Sequence, residues 1–166
     1  MGVVARPPRL DERQRRRWKA YRDLYEALSA VLQEQLLRDA GLSGSEYAVL
    51  AELSHSPEGV RRARELCAEL GWDRKRPSHL VRRMEQRGLV AREECSEDAR
   101  GSMVRLTDSG KTAVDAAAPE HSEAIRRYFF NLLTNGELNT LPVVFDRLLD
   151  NLTRDGRYRR RSSNRS

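Results

Sequence analysis

The sequence predicts a mainly α fold that contains a winged helix-turn-helix, and three observations support this prediction. Apolar residues recur at three- and four-residue steps over long stretches near both ends of the chain. Between these stretches, two short helical patterns flank a tight turn at Gly71 and Trp72. Two strand-like runs joined by a polar loop follow at once. Two short helices around a tight turn, followed by a hairpin, form a winged helix-turn-helix.

The first two helices are bounded by clear capping residues. Asp11 is placed to cap the start of a long helix, and Gly41 marks its end. Ser43 and Glu46 form a capping box, which predicts that a second helix begins there. The apolar positions of the long helix are Trp18, Tyr21, Leu24, Tyr25, Leu28, Val31, Leu32 and Leu36. Those of the second helix are Tyr47, Leu50 and Leu53.

The helix-turn-helix itself follows a turn at residues 56–59. A short third helix is predicted from about Ala63 to Leu70, and its inward residues are Leu66, Cys67 and Leu70. Asp73 is placed to cap a fourth helix, and Pro77 lies in the first turn, where proline costs least. Gly88 occupies the usual position after the last turn of this helix.

The rest of the chain is predicted as a wing and two more helices. The wing is a two-stranded β-hairpin with strands at 89–95 and 103–106. A helix is predicted from Asp108 to about Leu133, with a kink or a break at Pro119. Thr134 and Glu137 form another capping box. The last helix carries the apolar residues Leu138, Leu141, Val144, Phe145, Leu148, Leu149 and Leu152.

The composition indicates a chain that associates with a polyanion and with a second copy of itself. The formal net charge is +6, which predicts a polyanionic partner without identifying it. Hydrophobic residues make up only 39% of the chain, as expected for narrow apolar stripes that a second subunit completes. No secretion signal and no run of 18 apolar residues is present, so the sequence predicts a cytoplasmic protein without a membrane partner.

The helix at 74–86 carries the strongest sign of nucleic-acid binding. Its apolar positions Pro77, Leu80, Val81 and Met84 form one face. The other face has five cationic residues, opposed in the helix only by Glu85, and it gains from counterion release on a polyphosphate. The predicted DNA contacts on this helix are Arg74, Lys75, Arg76, Ser78, His79, Arg82 and Arg83. The alternative is a solvated basic face with no partner.

The loop of the hairpin offers a second contact. Arg100 lies at its tip and is followed by Gly101, which permits a sharp turn. An arginine at this position can enter a narrow minor groove, and Asp98 can hold it in an extended pose. The alternative is an ordinary polar turn.

Three motifs in these segments resemble the MarR family (multiple antibiotic resistance regulators). The residues from Arg83 to Val90 match an Arg-Met-Glu-x-x-Gly-Leu-Val helix end. Residues 98–100 match an Asp-x-Arg wing, and residues 106–110 match a Leu-Thr-x-x-Gly helix start. The motifs occur in the family's order at fitting spacing, and the resemblance covers about residues 15–152.

The resemblance implies a homodimer that binds double-stranded DNA at a pseudo-palindromic operator, most often as a repressor. The helical dimerisation region would comprise residues 11–42 and 109–153, and the winged helix-turn-helix residues 43–108. Apart from the resemblance, the composition predicts a flexible arm at residues 1–10 and a basic, disordered tail at residues 154–166, for which an extra phosphate-binding arm is the alternative. The resemblance also implies release of DNA by a small aromatic or phenolic ligand. The candidate lining is Trp18, Tyr21, Tyr25 and Tyr47, and packing in the dimer core is the alternative for these residues.

Other functions fit the sequence less well. It has no glycine-rich phosphate loop, no nucleophile elbow and no metal-binding pair on a helix, so no enzyme, cofactor or metal is expected. The three histidines and the cysteines Cys67 and Cys95 show no metal-site spacing. A nonspecific architectural DNA-binding protein and a winged-helix protein–protein module remain alternatives. The first would lack sequence preference, and the second would bind its partner at high salt.

Overall fold

The computed structural model describes residues 9–72, 76–94 and 102–156, and the side chains of all of these except 76–78 and 94. These residues form helices and a small sheet, with two 3₁₀ turns at Pro57–Gly59 and Phe130–Leu132. In chain order the elements are α1 (Glu12–Ala40), α2 (Gly44–Ser54), β1 (Val60–Arg62), α3 (Ala63–Glu69), α4 (Arg76–Gln86), β2 (Val90–Glu94), β3 (Ser102–Leu106), α5 (Asp108–Tyr128) and α6 (Asn135–Arg154).

The predicted starts of α1, α2 and α6 and the predicted end of α1 are confirmed by their capping geometry. Asp11, Ser43 and Thr134 each cap a helix and complete a capping box with the residue three positions later. Gly41 ends α1 in the left-handed region, with φ at 63°. Its N–H donates back into the last turn of α1, as expected for a glycine in this position. Local side-chain chemistry therefore sets these boundaries.

The sheet has three strands, so the prediction of a two-stranded wing is incomplete. β2 and β3 form the predicted antiparallel hairpin, and β1 adds to the other edge of β3 in the order β1-β3-β2. The predicted turn at 56–59 leads directly into β1, where Val60 pairs with Arg105. A strand of three residues shows no readable alternation, and its partner is far along the chain, so the pattern alone did not reveal it.

One hydrophobic core joins α2, α3, α4, the sheet and parts of α1 and α5. Leu50, Leu53, Met84 and Val104 have no exposed surface in this core. Leu66, Cys67 and Leu70 of the third helical segment are buried as predicted. On α2, Leu50 and Leu53 are buried, Tyr47 is only half-buried, and Val49 is an additional core residue. Most of the core therefore lies within the helix-turn-helix and the base of the wing.

Pro119 does not break the helix that contains it. α5 runs from Asp108 through Pro119 to Tyr128, and the 3₁₀ turn then replaces the predicted last turn. A proline inside a helix removes one backbone hydrogen bond. Val114 and Ala117 are buried before it and Ala124 after it, so packing holds the helix together on both sides.

Several predictions concern residues outside the described part of the chain. They include the Asp73 cap, the start of the fourth helix before residue 76, Cys95 and the wing loop up to residue 101. The arm at residues 1–8 and the tail from residue 157 also fall there.

The start of α5 approaches the backbone of Leu89, between α4 and β2, so closely that only glycine fits. A Cβ built on Gly110 would lie 2.0 Å from the carbonyl oxygen of Leu89 and 2.9 Å from Cδ1 of Leu106. Thr107, the N-cap of α5, closes the same junction because its hydroxyl donates to the carbonyl of Gly88 at 2.7 Å. This contact anchors α5 to the hairpin.

Gly110→Ala is therefore expected to reduce the free energy of unfolding by about 1–3 kcal/mol or more, since backbone must move to admit the methyl group. Gly44→Ala is the matched control, because a Cβ at Gly44 meets nothing within 4 Å. That control is expected to leave stability unchanged or raise it by up to about 1 kcal/mol. Urea unfolding at one protein concentration measures both. Equal midpoints for Gly110→Ala and wild type would contradict the close contact.

Candidate nucleic-acid interface

α4 is positioned by the burial of one face. It packs against α2 and β2, with Val81 and Met84 buried and Leu80 half-buried. At its end, the N–H of Leu89 donates to the carbonyl of Met84, and Gly88 has φ at 70°. This termination turns the chain into β2. The burial of Val81 and Met84 leaves the opposite face of α4 in solvent.

The exposed face of α4 carries three of the predicted DNA contacts. His79, Arg82 and Arg83 are all exposed. Arg82 has no ion-pair partner within the described residues. The side chain of Arg83 is 57% exposed, and its Nε lies 3.4 Å from Oε1 of Glu46. Arg82 and Arg83 are therefore adjacent cations, and within the described part of the chain only Arg83 faces a carboxylate.

The structure does not describe the remaining predicted contacts. Arg76 and Ser78 lie on the first turn of α4, but only their backbone is described. Arg74 and Lys75 lie outside the described residues, as do Asp98 and Arg100 in the wing loop.

An arginine–carboxylate pair connects the two strands of the wing. Arg105 on β3 donates from Nε and Nη2 to the two carboxylate oxygens of Glu93 on β2, at 2.5 and 3.1 Å. The hydrogen bond from Arg105 holds the pKa of the Glu93 carboxyl below its usual value. Two parallel bonds of this kind fix the relative orientation of the strands.

Glu46 is a buried carboxylate that the sequence indicated only as a helix cap. The residue is 3% exposed, and its Oε2 accepts from both the N–H and the hydroxyl of Ser43. Its Oε1 accepts from Nη1 of Arg87 at 2.9 Å. Burial raises the pKa of Glu46, but the bonds from Ser43 and Arg87 outweigh burial and hold the pKa below its usual value. A capping-box motif accounts for the first pair of contacts, whereas nothing local predicts the contact with Arg87.

The four candidate effector residues do not form one group. Trp18, Tyr21 and Tyr25 form a ladder of rings along α1, with centroids 5.3 and 6.4 Å apart, and all three are exposed. The Tyr47 ring instead meets the His121 ring edge-on at 4.6 Å. His121 contacts Gln35, which lies ten residues beyond Tyr25 on α1, or about 15 Å along the helix.

His121, Gln35 and Tyr47 join the long helices to the helix-turn-helix. Gln35 is buried, and its Nε2 donates to Asp39 at 3.1 Å. Its Oε1 accepts from Nδ1 of His121 at 3.0 Å, which places the ring hydrogen on Nδ1. Burial lowers the pKa of His121 below its usual value, so the ring is neutral at pH 7.

The described residues contain no group of three or more histidine, cysteine or carboxylate side chains arranged to hold a metal ion. Cys67 is buried, its thiol donates to the Ala63 carbonyl, and burial raises its pKa. Within the same residues, no helix has the length and apolar character that a membrane span requires.

Comparison with known proteins identifies the family. The sequence model of the MarR family matches residues 40–101, which include α2, α3, α4 and β2. The structure of Sco3205, a MarR family transcriptional regulator from Streptomyces coelicolor solved in complex with DNA, superposes with a TM-score of 0.85. The two sequences are 33% identical, and the match covers 89% of this chain and 92% of Sco3205.

The chain belongs to the MarR family. A second member from Streptomyces coelicolor, AbsC, superposes with a TM-score of 0.83 at 29% identity, over 88% of this chain and 98% of AbsC. The HTH-type transcriptional regulator YkoM of Bacillus subtilis is 28% identical over 125 residues, or 74% of this chain and 79% of YkoM. The predicted fold and family are thus confirmed, and this MarR family chain is a transcriptional regulator.

Glu46→Gln tests whether the buried carboxylate acts beyond its role as a cap. Because its pKa is lowered in the folded state, its contribution to stability is present above the unfolded-state pKa of about 4.3. That contribution is lost as the pH falls through the lower folded-state value. The variant is therefore expected to be about 1–3 kcal/mol less stable than wild type at pH 7. The difference should shrink toward pH 3.

Glu137→Gln is the matched control, because Glu137 occupies the same position in the capping box of α6 but is exposed. It should show a smaller loss of stability at pH 7. Urea unfolding over a pH series measures both variants. If the two pH profiles coincide, Glu46 contributes only as a cap.

Proposed function

We propose that this MarR family chain binds a pseudo-palindromic operator as a homodimer and represses transcription from it. The observation that carries the proposal is α4, which buries one face and exposes a face with His79, Arg82 and Arg83. A helix of this kind suits the major groove of DNA, where side chains reach base edges and cations reach phosphates. Sco3205, which was solved with DNA, has the same fold at 33% identity.

The proposed contacts divide by role. His79 and Ser78 lie in the first half of α4 and would read base edges, together with Arg74, Lys75 and Arg76. Arg82 and Arg83 lie further along and would neutralise phosphates. Arg100, supported by Asp98, would enter the minor groove from the wing.

The dimer is supported by two helices whose apolar stripes remain partly exposed among the described residues of one chain. α6 contributes no buried residue, although its stripe includes Phe145, Leu148 and Leu152. The ring ladder at Trp18, Tyr21 and Tyr25 is exposed on α1 in the same way. Monomeric proteins rarely leave such continuous apolar surface in water. A second copy of the chain would bury both stripes, and this favours residues 11–42 and 109–153 as the dimerisation region.

The winged helix-turn-helix at 43–108 would then be the DNA-binding part, with residues 1–10 and 154–166 as flexible extensions. In this role the protein acts on chromosomal DNA in the cytoplasm, and it requires no catalysis. Release of DNA by a small aromatic or phenolic ligand is part of the proposal. Titration of such compounds into the protein–DNA complex, followed by the fluorescence of Trp18 and Trp72, tests it.

The decisive experiment measures binding to the DNA that flanks the chain's own gene, with excess competitor DNA and across a salt series. Retention of binding at one pseudo-palindromic fragment, together with repression of a reporter from that fragment, is the expected result. Equal loss of binding at every fragment would instead indicate a nonspecific architectural protein. Absence of binding to any DNA at low salt would overturn the proposal.

Arg82→Ala is expected to flatten the dependence of DNA affinity on salt. If each subunit loses one phosphate contact, the slope of log K against log salt should fall in magnitude by about 1.8 for a dimer. Arg126→Ala is the control, because Arg126 is exposed on α5 and far from α4. It lies sixteen residues, or about 24 Å, along α5 from Gly110, where α5 contacts Leu89 just after the end of α4. Fluorescence anisotropy at several salt concentrations measures both. An unchanged slope for Arg82→Ala would remove this residue from the interface.

Leu148→Arg is expected to separate the dimer into chains of 19.1 kDa and to abolish operator binding. Leu148 is 59% exposed within one chain, so the substitution costs little in a monomer but places a charge in a dimer interface. Asn139→Arg is the control, because Asn139 lies on the opposite side of α6 from Leu148 and is also exposed. Light scattering should give twice the chain mass for wild type and for the control. A monomeric wild type would contradict the proposed dimer.

A further inference from the structure

Arg87 joins the ends of three helices with one side chain. It follows the last residue of α4, and its own N–H closes the final turn by donating to Arg83. Its Nη1 donates to the buried Glu46 in the first turn of α2. Its Nη2 donates to the carbonyl of Gly41, the C-cap of α1, at 2.9 Å. In the chain, Glu46 precedes Arg87 by 41 positions and Gly41 precedes it by 46 positions.

Each acceptor suits a guanidinium. The carbonyl of Gly41 lies at the C-terminal end of α1, where the helix dipole favours a positive charge. Glu46 is 3% exposed, and a carboxylate taken out of water requires a charged partner with good geometry. Arginine presents its two terminal nitrogens as a planar fork, so it can bind both acceptors at once, whereas lysine offers a single ammonium.

The contacts of Arg87 are directional, whereas the apolar contacts that bury one face of α4 are not. Val81 and Met84 fix the buried face of α4, but apolar contacts tolerate small rotations and shifts. Hydrogen bonds from a planar group restrict both distance and angle. Glu46 also lies 3.4 Å from Arg83, which is on the exposed face of α4. The same carboxylate therefore orients the end of the helix and one of its proposed phosphate contacts.

We propose that Arg87 is a positioning residue for DNA binding, which it serves by holding α4 to the corner between α1 and α2 without touching DNA itself. This inference rests on the proposed function, because the position of α4 affects function only if α4 binds DNA. In the proposed dimer, α1 carries part of the subunit interface, so a bond from Arg87 to the end of α1 links the spacing of the two α4 helices to that interface. A shift at either end then changes the fit to two half-sites.

The test compares Arg87→Gln, Arg87→Lys and Glu46→Gln with wild type, and uses Arg126→Gln as the control that removes one exposed arginine. Operator affinity is measured across a salt series. Arg87→Gln should lose about tenfold in affinity, as is usual for residues that act through a network. The slope against salt should stay at the wild-type value, because no phosphate contact is lost. Arg87→Lys should recover only part of the affinity.

Glu46→Gln keeps the cap but removes the charge that anchors Arg87, so it should reproduce the loss with an unchanged slope. The double variant should lose less than the sum of the two single losses, because both substitutions break the same Arg87–Glu46 contact. A lower slope for Arg87→Gln, with full recovery by Arg87→Lys, would make Arg87 a phosphate contact and overturn the proposal. Additive losses in the double variant would also overturn it.

Hydrogen exchange on the intact protein without DNA separates this inference from the proposed function. Arg87→Gln should increase exchange at both the end of α4, near Gly88 and Leu89, and the α1–α2 corner, near Leu42. Arg126→Gln should change neither. Wild-type exchange rates at these amides in Arg87→Gln would overturn the positioning role even if the protein binds its operator. Failure of the wild type to bind any DNA would overturn the function while faster exchange still supported the structural link.

Discussion

The burial of one face of α4 is the constraint on which the rest of the structure depends. Met84 has no exposed surface, and it contacts a core to which α2, the sheet and the start of α5 all contribute. A helix with several adjacent cations would repel itself in isolation. The apolar contacts of the other face of α4 provide the free energy that holds this helix against the core. The exposed cations are therefore kept close together by packing, and they are available to a polyanion.

The same core leaves apolar residues of two helices, α1 and α6, exposed to solvent. Most of the buried residues belong to the helix-turn-helix and the wing, whereas α6 contributes none and the first half of α1 exposes its rings. This uneven distribution explains the modest hydrophobic fraction of the sequence. The chain has enough apolar residues for one small core, and the remainder form stripes suited to a second copy of the chain.

Where the two regions meet, polar contacts add to the apolar packing of Leu36, Val114 and Ala117. Arg87 connects the ends of α1, α2 and α4, and His121 connects α5 to Gln35 on α1 beside the Tyr47 ring. Such contacts have definite distances and angles, so they restrict how the winged helix-turn-helix is oriented on the long helices. A regulator that reads two half-sites benefits from this restriction, because its two recognition helices must match a fixed spacing on DNA.

The sequence by itself determined both ends of α1, the starts of α2 and α6, the buried face of α4 and the family. Asp11, Ser43 and Thr134 cap their helices through bonds within four residues, so their effect can be read from the local sequence. Only the tertiary structure decided that Val60 pairs with Arg105, that Pro119 stays within a helix and that Tyr47 lies apart from the rings of α1. It also decided that a capping glutamate is the partner of Arg87. These outcomes depend on residues that are distant in the chain and meet only when the core forms, which no local periodicity records.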